Sequence, residues 1–207
     1  MEKSMISFDS VSHDMGNTHI FSNLTFCANN NEKILILGKS GIGKTSLFRL
    51  ILGFEQPESG RILVNGLDLI KDHIHQIRQE IFYLSQDIDL MDDIILGLLT
   101  SVWEFNFSKA LPMEVVSRHL NFLELSSDIL QKRTRALSGG ERQRIGLLMG
   151  FLLDRPIWLL DEPTSALDDA MKKKIATHML SLDKTMIIIS HDPCWQDNSI
   201  VRIERWS

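Results

Sequence analysis

The segment "GKSGIGKT", from Gly38 to Thr45, constrains the fold of this 207-residue chain more than any other. It follows the apolar run "KILIL" and precedes a helical pattern from Thr45 to Leu52, so it joins a buried strand to a helix. Its spacing fits G-x-x-x-x-G-K-S/T, in which glycines let successive backbone N–H groups point at phosphate oxygens. The helix N-terminus adds free N–H groups and the positive end of its dipole. We therefore expect a phosphate site here, although the loop alone is also consistent with a glycine-rich turn that carries a surface lysine.

Strand and helix patterns alternate through most of the chain. The runs "SMISFDSVS" and "IFSNLTFCA" predict two opening strands with the turn signal "HDMGN" between them, and Asn31 is expected in a left-handed turn. The later runs "IFYL", "PIWLLDE", "TMIIIS" and "SIVRIER" predict further strands, with helical patterns around them. This alternation favours a mainly parallel sheet. Between about residues 87 and 136 helical patterns replace strands, which indicates an inserted helical subdomain.

The composition excludes several classes of protein. The net charge is −5, from 22 basic and 27 acidic residues, which argues against nucleic acid as the main partner. No segment reads as a secretory signal, and no apolar run approaches the roughly 18 residues of a membrane span. Cys27 and Cys194 match no metal-ligand spacing and are expected to be reduced thiols in the cytosol. We expect one domain over residues 1–207.

Two acids end the apolar run "PIWLLDEP". Because ligands bind beyond the carboxyl ends of strands in α/β sheets, Asp161 and Glu162 are expected to face the phosphate loop. Asp161 and the Thr45 hydroxyl suit Mg²⁺, and Lys44 supplies a charge between the outer phosphates. Glu162 is placed to polarise the water that attacks the γ-phosphate. A helix cap is the alternative, but it explains one acid and not two.

The segment "LSGGERQR" stands just ahead of a long apolar run. Ser138 and Glu141 fit a capping box at a helix N-terminus. The box leaves Gly139 and Gly140 unexplained, and a helical glycine costs about 1 kcal/mol relative to alanine. Without side chains there, a phosphate can approach the helix N-terminus closely. Two phosphate sites in one chain indicate two copies arranged head to tail, with each nucleotide between the loop of one copy and the turn of the other.

Taken in order, "GKSGIGKT", "LSGGERQR", "IWLLDEP", "SALD" and "IIISHD" resemble the motifs of the ATP-binding subunit of bacterial ABC transporters, over nearly the whole chain. The resemblance implies an α/β P-loop NTPase with a mainly parallel RecA-like core sheet, an N-terminal antiparallel β subdomain and an inserted α-helical subdomain. It implies ATP and Mg²⁺ as ligands and a homodimer on ATP binding. It also implies a separate multi-span membrane permease, no nucleic acid, and a cytoplasmic location on the inner face of the cell membrane.

The resemblance assigns a role to each matching position. Glu162 is implied to be the catalytic base, and His191 the switch histidine that contacts the γ-phosphate. Gln86 is implied to sense Mg²⁺ and the membrane partner, and the implied metal ligands are Thr45, Gln86 and Asp161. Asp168 of "SALD" is implied to lie at the dimer interface. The residues implied to contact nucleotide are Gly38, Lys39, Ser40, Gly41, Ile42, Gly43, Lys44, Thr45, Ser46, Met15, Ser138, Gly139, Gly140, Glu141 and Asp168.

One position departs from the family pattern. The family usually has an aromatic residue, stacked on adenine, about 23 positions before the first glycine of the loop, and this chain has Met15 there. Stacking contributes about 1–3 kcal/mol per base, and a thioether contact recovers only part of it. Weaker adenine discrimination and tolerance of GTP are therefore expected.

Three histidines are candidate functional residues. His191 follows an apolar strand, as Glu162 does, so both are expected at the same sheet edge. A histidine without function is the alternative for His191. His73 and His75 are expected on a solvated helix face, because no acidic or cysteine ligand lies at a suggestive spacing.

The type of transporter is less constrained. The stretch "VSRHLNFLELSSDILQKRTRALSGGERQR" resembles small export-type ATPases, including the iron-export group, so export of a metal or another small solute is expected. An importer subunit is the alternative, and an ABC ATPase of DNA repair or translation is less favoured because no coiled coil, zinc module or second ATPase domain is visible. A P-loop kinase would not need "LSGGE". The apolar stretch "DLMDDIILGLLTSVW" is a candidate surface for the membrane partner, with core packing as the alternative for about half of it.

Overall fold

The structure is a computed structural model that describes residues 4–16, 18–196 and 199–206. Its strands are β1 (Ser4–Met15), β2 (Thr18–Asn29), β3 (Lys33–Leu37), β4 (Ser59–Val64), β5 (Leu67–Asp68), β6 (Ile81–Leu84), β7 (Ile157–Asp161), β8 (Thr185–Ile189) and β9 (Val201–Arg205). Its α-helices are α1 (Lys44–Ile51), α2 (Ile74–Gln79), α3 (Ile95–Phe107), α4 (Met113–Phe122), α5 (Gly139–Leu153) and α6 (Asp169–Leu180).

The first sheet is antiparallel, with the strand order β2-β1-β4-β5. Strand β1 extends further into "HDMGN" than predicted, because His13 pairs with Phe21 and Met15 pairs with Thr18, while Asn17 lies outside the described residues. His13 is buried, and its Nε2 lies 2.9 Å from Glu55 Oε2, which keeps this end of β1 in the sheet. The prediction of a turn from residue 13 was therefore wrong. The left-handed backbone expected at Asn31 is confirmed, with φ of 60°.

The second sheet is parallel throughout, with the strand order β6-β7-β8-β3-β9. This confirms the mainly parallel sheet expected from the alternation of strands and helices. Asp161 at the end of β7 pairs with Ile189 of β8, and Ile36 of β3 pairs with the same residue. The carboxyl ends of β3, β7 and β8 therefore meet at one edge, and the loops that leave them begin close together.

Two apolar cores cover the two faces of the parallel sheet. Successive side chains of a strand point to opposite faces. Accordingly Leu159 packs with α1 and the antiparallel sheet, whereas Trp158 and Leu160 pack with α5 and α6. All five residues of β7 are buried. A strand covered on both faces reads as a continuous apolar run, which is why β7 was visible in the sequence.

Helices α3 and α4 lie within the stretch expected to be a helical insert. Ile95, Leu98 and Leu99 of α3 face the core, while Met91 is 79% and Ile94 39% exposed. The apolar run "DLMDDIILGLLTSVW" is thus divided between core packing and surface. Within residues 4–16, 18–196 and 199–206 no helix combines the length and apolarity needed to cross a bilayer.

Helix α5 approaches the parallel sheet closely at two glycines. A Cβ at Gly150 would lie 2.5 Å from Cε1 of the buried Phe82, and one at Gly146 would lie 2.7 Å from Leu84 Cδ1. Both partners belong to β6, so the short separation between α5 and β6 depends on the missing side chains. By contrast, the nearest atom to a Cβ at Gly97 in α3 is a carboxylate oxygen of the Asp93 side chain, at 3.0 Å.

We expect Gly150→Ala to lower the free energy of unfolding by about 1–3 kcal/mol, because overpacking against Phe82 outweighs the gain in helix propensity. Urea unfolding followed by circular dichroism measures the change. Gly97→Ala is the matched control, since it also replaces a helical glycine, and its effect is expected to stay within about 1 kcal/mol. Equal effects of the two substitutions would contradict the close packing of α5 on β6.

Candidate functional site

The phosphate loop connects β3 to α1, as its spacing predicted. Gly41 and Gly43 have φ of 83° and 101°, which other residues rarely adopt. The Lys44 ammonium donates to the carbonyl oxygens of Gly38 at 2.6 Å and Lys39 at 2.8 Å. These two bonds leave one of its three N–H groups for a phosphate oxygen.

Residues of β2 and Trp206 pack closely against the phosphate loop. A Cβ at Gly38 would lie 2.9 Å from the carbonyl oxygen of Trp206, and one at Gly43 would lie 2.5 Å from Ile20 Cγ2. Phe21 packs edge-on against Trp206. The loop therefore packs against Trp206 and β2. Both these close contacts and the positive φ angles of the loop require glycine.

The acids that end β7 lie beside the loop, as expected. Thr45 Oγ1 donates to Asp161 Oδ2 at 3.1 Å. Asp161 is buried, and this burial raises the pKa of its carboxyl, as does neighbouring Glu162, while the bond from Thr45 and the charge of Lys44 oppose the rise. A hydroxyl and a carboxylate side by side are hard oxygen donors, which fit Mg²⁺.

Glu162 has an unusual backbone, and hydrogen bonds hold both its backbone and its side chain in place. Its φ is 49°, in the left-handed region that residues other than glycine seldom adopt. Its N–H donates to Ile189 O at 2.8 Å, and its carbonyl accepts from Gln143 Nε2 at 2.8 Å. Its carboxylate oxygen Oε2 accepts from Ser190 Oγ at 3.0 Å. The side chain of Glu162 is therefore oriented both by its fixed backbone and by the hydrogen bond to its carboxylate.

A pocket of about 680 Å³ lies at this edge of the sheet. Its volume suits a nucleotide-sized ligand. It brings together many of the residues expected from the sequence, among them Gln86 after β6 and His191 after β8, both of them exposed. The lining residues are Met15, Ile20, Ser40, Gly41, Gly43, Lys44, Thr45, Ser46, Arg49, Glu55, Gln86, Asp161, Glu162, Ser165, Ile189 and His191.

The other expected nucleotide contacts do not line this pocket. Gly38 and Lys39 turn their carbonyls towards Lys44 instead. The turn from Ser138 to Glu141 and the exposed Asp168 also lie apart from it. Gly139 lines a second hollow of about 370 Å³, whose wall also contains Gln86. One chain therefore contains two separate groups of expected ligand-binding residues.

The capping box at the start of α5 is confirmed. Ser138 Oγ accepts from Glu141 N–H at 3.2 Å, and Glu141 Oε2 accepts from Ser138 N–H at 2.9 Å. Hydrogen bonding from Lys132 and from the Ser138 backbone lowers the pKa of Glu141 to about 2. This fixed carboxylate keeps the first turn of α5 in place.

The two adjacent glycines have different surroundings. A Cβ at Gly140 would lie 3.0 Å from the carbonyl oxygen of Ala166, so close packing already explains this glycine. The nearest atom to a Cβ at Gly139 is Ala166 Cβ at 3.8 Å, which is ordinary contact. The sequence thus missed a second reason for Gly140, which is its packing against Ala166. Close approach of a phosphate remains a prediction for both glycines.

Sequence reasoning missed Gln143, Ser190 and Ile20. Gln143 is 4% exposed and lies four residues before the buried Leu147, so it is a polar residue at a core position of an amphipathic pattern. That was a usable signal. Ser190 and Ile20 gave none, because a serine after a strand and an isoleucine within one are both ordinary.

Asp168 and His73 have structural partners of their own. Asp168 Oδ1 accepts from Met171 N–H at 3.0 Å and caps α6. His73 Nδ1 lies 3.0 Å from the Asp68 carbonyl oxygen. The cap does not prevent Asp168 from contacting a second chain, because the residue is exposed.

Comparisons with known proteins agree with this geometry. A family model described as ABC transporter matches residues 21–165. The chain is 35% identical over 202 residues to the lactococcin transport/processing ATP-binding protein LcnC-like of Lactococcus lactis subsp. lactis (strain IL1403), covering 90% of this chain and 27% of that protein. It is 30% identical over 203 residues to the spermidine/putrescine import ATP-binding protein PotA of Legionella pneumophila (strain Philadelphia 1), covering 93% of this chain and 54% of that protein. The chain thus spans about a quarter and about half of these relatives.

Solved structures share the fold. The dimeric structure of MJ0796, a bacterial ABC transporter cassette, superimposes with a TM-score of 0.83 at 23% identity, covering 97% of this chain and 94% of that one. A bacterial Atm1-family ABC exporter with ATP bound gives a TM-score of 0.82 at 24% identity, covering 99% of this chain and 38% of that one. The predicted family and the P-loop α/β fold are confirmed. The chain belongs to the ABC transporter family, as an ATP-binding domain.

Proposed function

We propose that the chain hydrolyses ATP as a head-to-tail dimer and so drives transport through a separate membrane permease. One observation carries the proposal: the expected ligand-binding residues fall into two groups that a single chain does not bring into one pocket. The pocket holds Lys44, Asp161 and Glu162, while the turn at Ser138 lies outside it. A second copy, turned head to tail, supplies the missing half.

In the proposed site the residues of one pocket divide the work. The loop amides and Lys44 bind the phosphates, and Thr45, Asp161 and Gln86 hold Mg²⁺, which neutralises charge that develops on the phosphoryl oxygens. Glu162, oriented by Ser190, polarises the attacking water. The neighbouring residue His191 contacts the γ-phosphate.

The turn at the start of α5 completes the site from the partner. Ser138 caps its own helix, and Gly139 leaves the first turn of a 15-residue helix without a side chain, with Ala166 Cβ 3.8 Å from the position of a Cβ. Such an end favours a negatively charged ligand through its free N–H groups and its dipole. Closure on ATP and separation after hydrolysis would move the permease between two states.

The permease contact is proposed at the segment before and within α3. Met91 and Ile94 expose apolar surface there, next to the segment after β6 that carries Gln86. The proposed contact implies a location in the cytoplasm, against the inner face of the membrane. The net charge of −5 fits such a role better than nucleic-acid binding.

Export of a metal or another small solute is the direction we propose, with import as the alternative. The names of relatives leave both directions open, since LcnC is called a transport/processing protein and PotA an import protein. A role in DNA repair or translation is the less favoured second alternative. Co-purification with a membrane protein of many spans would support transport, and export or uptake of solute by vesicles containing both proteins would fix the direction.

We expect Glu162→Gln to accumulate as a dimer in saturating ATP and Mg²⁺, because ATP is bound but the water is no longer polarised. Size-exclusion chromatography with light scattering measures the mass. Adding Gly139→Asp to this variant should abolish the dimer, since a carboxylate would face the phosphate while nothing in the fold is crowded. A Glu162→Gln chain that stays monomeric would refute the head-to-tail dimer.

We expect Asp161→Asn to raise the melting temperature of the nucleotide-free protein at neutral pH. Burial raises the pKa of Asp161, so the unfolded chain ionises at lower pH than the folded one. Folded stability is therefore lost as the pH rises from about 3.9 through the raised pKa, and the loss is complete above it. The gain from asparagine should be absent near pH 4 and largest near pH 8.

The same variant tests the metal assignment. ATP with Mg²⁺ should raise the melting temperature of the wild type, and this increase should be lost in Asp161→Asn and on removal of Mg²⁺ with EDTA. Asp72→Asn, at an exposed position away from the pocket, is the control and should behave as the wild type. An unchanged response of Asp161→Asn to Mg²⁺ would refute the assignment.

We expect Met15→Tyr to tighten ATP binding by about fivefold or more, because Met15 is 55% exposed at the pocket and a ring there can stack on the base. Fluorescence titration compares the Kd values of ATP and GTP for both chains. The wild type is expected to bind the two nucleotides with similar affinity. An unchanged ATP affinity in the variant would show that the base does not lie against residue 15.

A further inference from the structure

A buried amide in α5 joins the two groups of ligand-binding residues. Gln143 is 4% exposed, and both ends of its side chain are hydrogen-bonded. Its Nε2 donates to the carbonyl oxygen of Glu162 at 2.8 Å, and its Oε1 accepts from the N–H of Ala166 at 2.8 Å. Only an amide side chain of this length both donates and accepts across such a gap.

The first turn of α5 packs on the segment 162–168, to which Gln143 is hydrogen-bonded. Gly139 and Gly140 both lie against Ala166, with no room for a side chain on Gly140. The segment 162–168 carries Glu162 at one end and Asp168 at the other. The turn at Ser138 and the segment 162–168 therefore form one packed unit, and Gln143 is its polar connection.

Glu162 depends on this connection more than an ordinary residue would. Its left-handed backbone is held by the bond from its N–H to Ile189 O and by the bond that Gln143 Nε2 donates to its carbonyl, which also accepts from Ser165 N–H at 3.2 Å. The first contact comes from the sheet, while the second comes from α5. A shift of α5 away from the segment would break both hydrogen bonds of the Gln143 amide, which is itself buried, and would remove the contact from α5 to the Glu162 carbonyl.

We propose that Gln143 is a positioning residue that couples the two nucleotide sites of the dimer. In the proposed dimer the turn at Ser138 binds the partner's nucleotide, whereas Glu162 acts on the nucleotide of its own chain. Binding of a phosphate at the turn fixes the position of α5. Through the hydrogen bond from Gln143, the position of α5 then determines that of the Glu162 backbone. This inference rests on the proposed function, because it needs the turn and Glu162 to serve different nucleotides.

The test compares Gln143→Met, which keeps the side-chain length and removes both hydrogen bonds, with Gln131→Met at an exposed position. ATPase rates over a range of ATP concentrations give kcat, KM and the Hill coefficient. For Gln143→Met we expect kcat to fall about tenfold or more, since Glu162 is no longer held in place. The Hill coefficient should fall towards 1, while KM should stay within about twofold. Gln131→Met should match the wild type.

Dimerisation of the Glu162→Gln variant, measured separately, distinguishes failure of this inference from failure of the proposed function. If Glu162→Gln dimerises in ATP and Gln143→Met retains the wild-type kcat and Hill coefficient, coupling through Gln143 is refuted while the dimer stands. If Gln143→Met lowers kcat and the melting temperature and also raises KM, Gln143 has a purely structural role, and coupling is refuted as well. If Glu162→Gln does not dimerise, the proposed function fails and the inference fails with it.

A second variant tests the proposal in case Gln143→Met folds poorly. Gln143→Glu keeps the acceptor for the Ala166 N–H and loses the donor to the Glu162 carbonyl. The same fall in kcat and in the Hill coefficient is expected. Wild-type values of both in a folded Gln143→Glu protein would overturn the proposal.

Discussion

The parallel pairing of β7, β8 and β3 is the constraint on which the site depends. Because these strands share one direction, their carboxyl ends meet at one edge and the loops beyond them converge. Thr45 at the start of α1 thereby reaches Asp161 at the end of β7, 116 positions away in sequence. Glu162 and His191 reach the same pocket by the same rule.

Burial of polar groups gives this edge its chemical character. Burial raises the pKa of Asp161, so ionisation of this carboxyl is less favourable than in water, although Thr45 and Lys44 oppose the rise. Gln143 is buried as well, but it is neutral and both ends are bonded, so it acts as a rigid connection. The site thus combines a buried carboxyl with a neutral amide whose hydrogen bonds are both made within the chain.

Much of the fold and of the pocket could be predicted from the sequence, because both depend on local patterns. Buried parallel strands read as apolar runs, and residues that follow such runs could be assigned to one edge without knowing the strand order. The end of β1 was mispredicted, because "HDMGN" has turn chemistry and only the burial of His13 extends the strand. The reason for Gly140 was also missed, since it is a contact with Ala166 far along the chain.

The sequence by itself determined that the chain has a phosphate loop, an acidic strand end and a capped glycine turn, because each is a short motif with its own backbone requirement. Only the tertiary structure decided which of them share a pocket. It brought Met15, Gln86 and His191 to the phosphate loop and kept Ser138 apart from it. It also placed Gln143 between the two groups, because hydrogen bonds between distant segments depend on how α5 packs on the sheet and not on spacing along the chain.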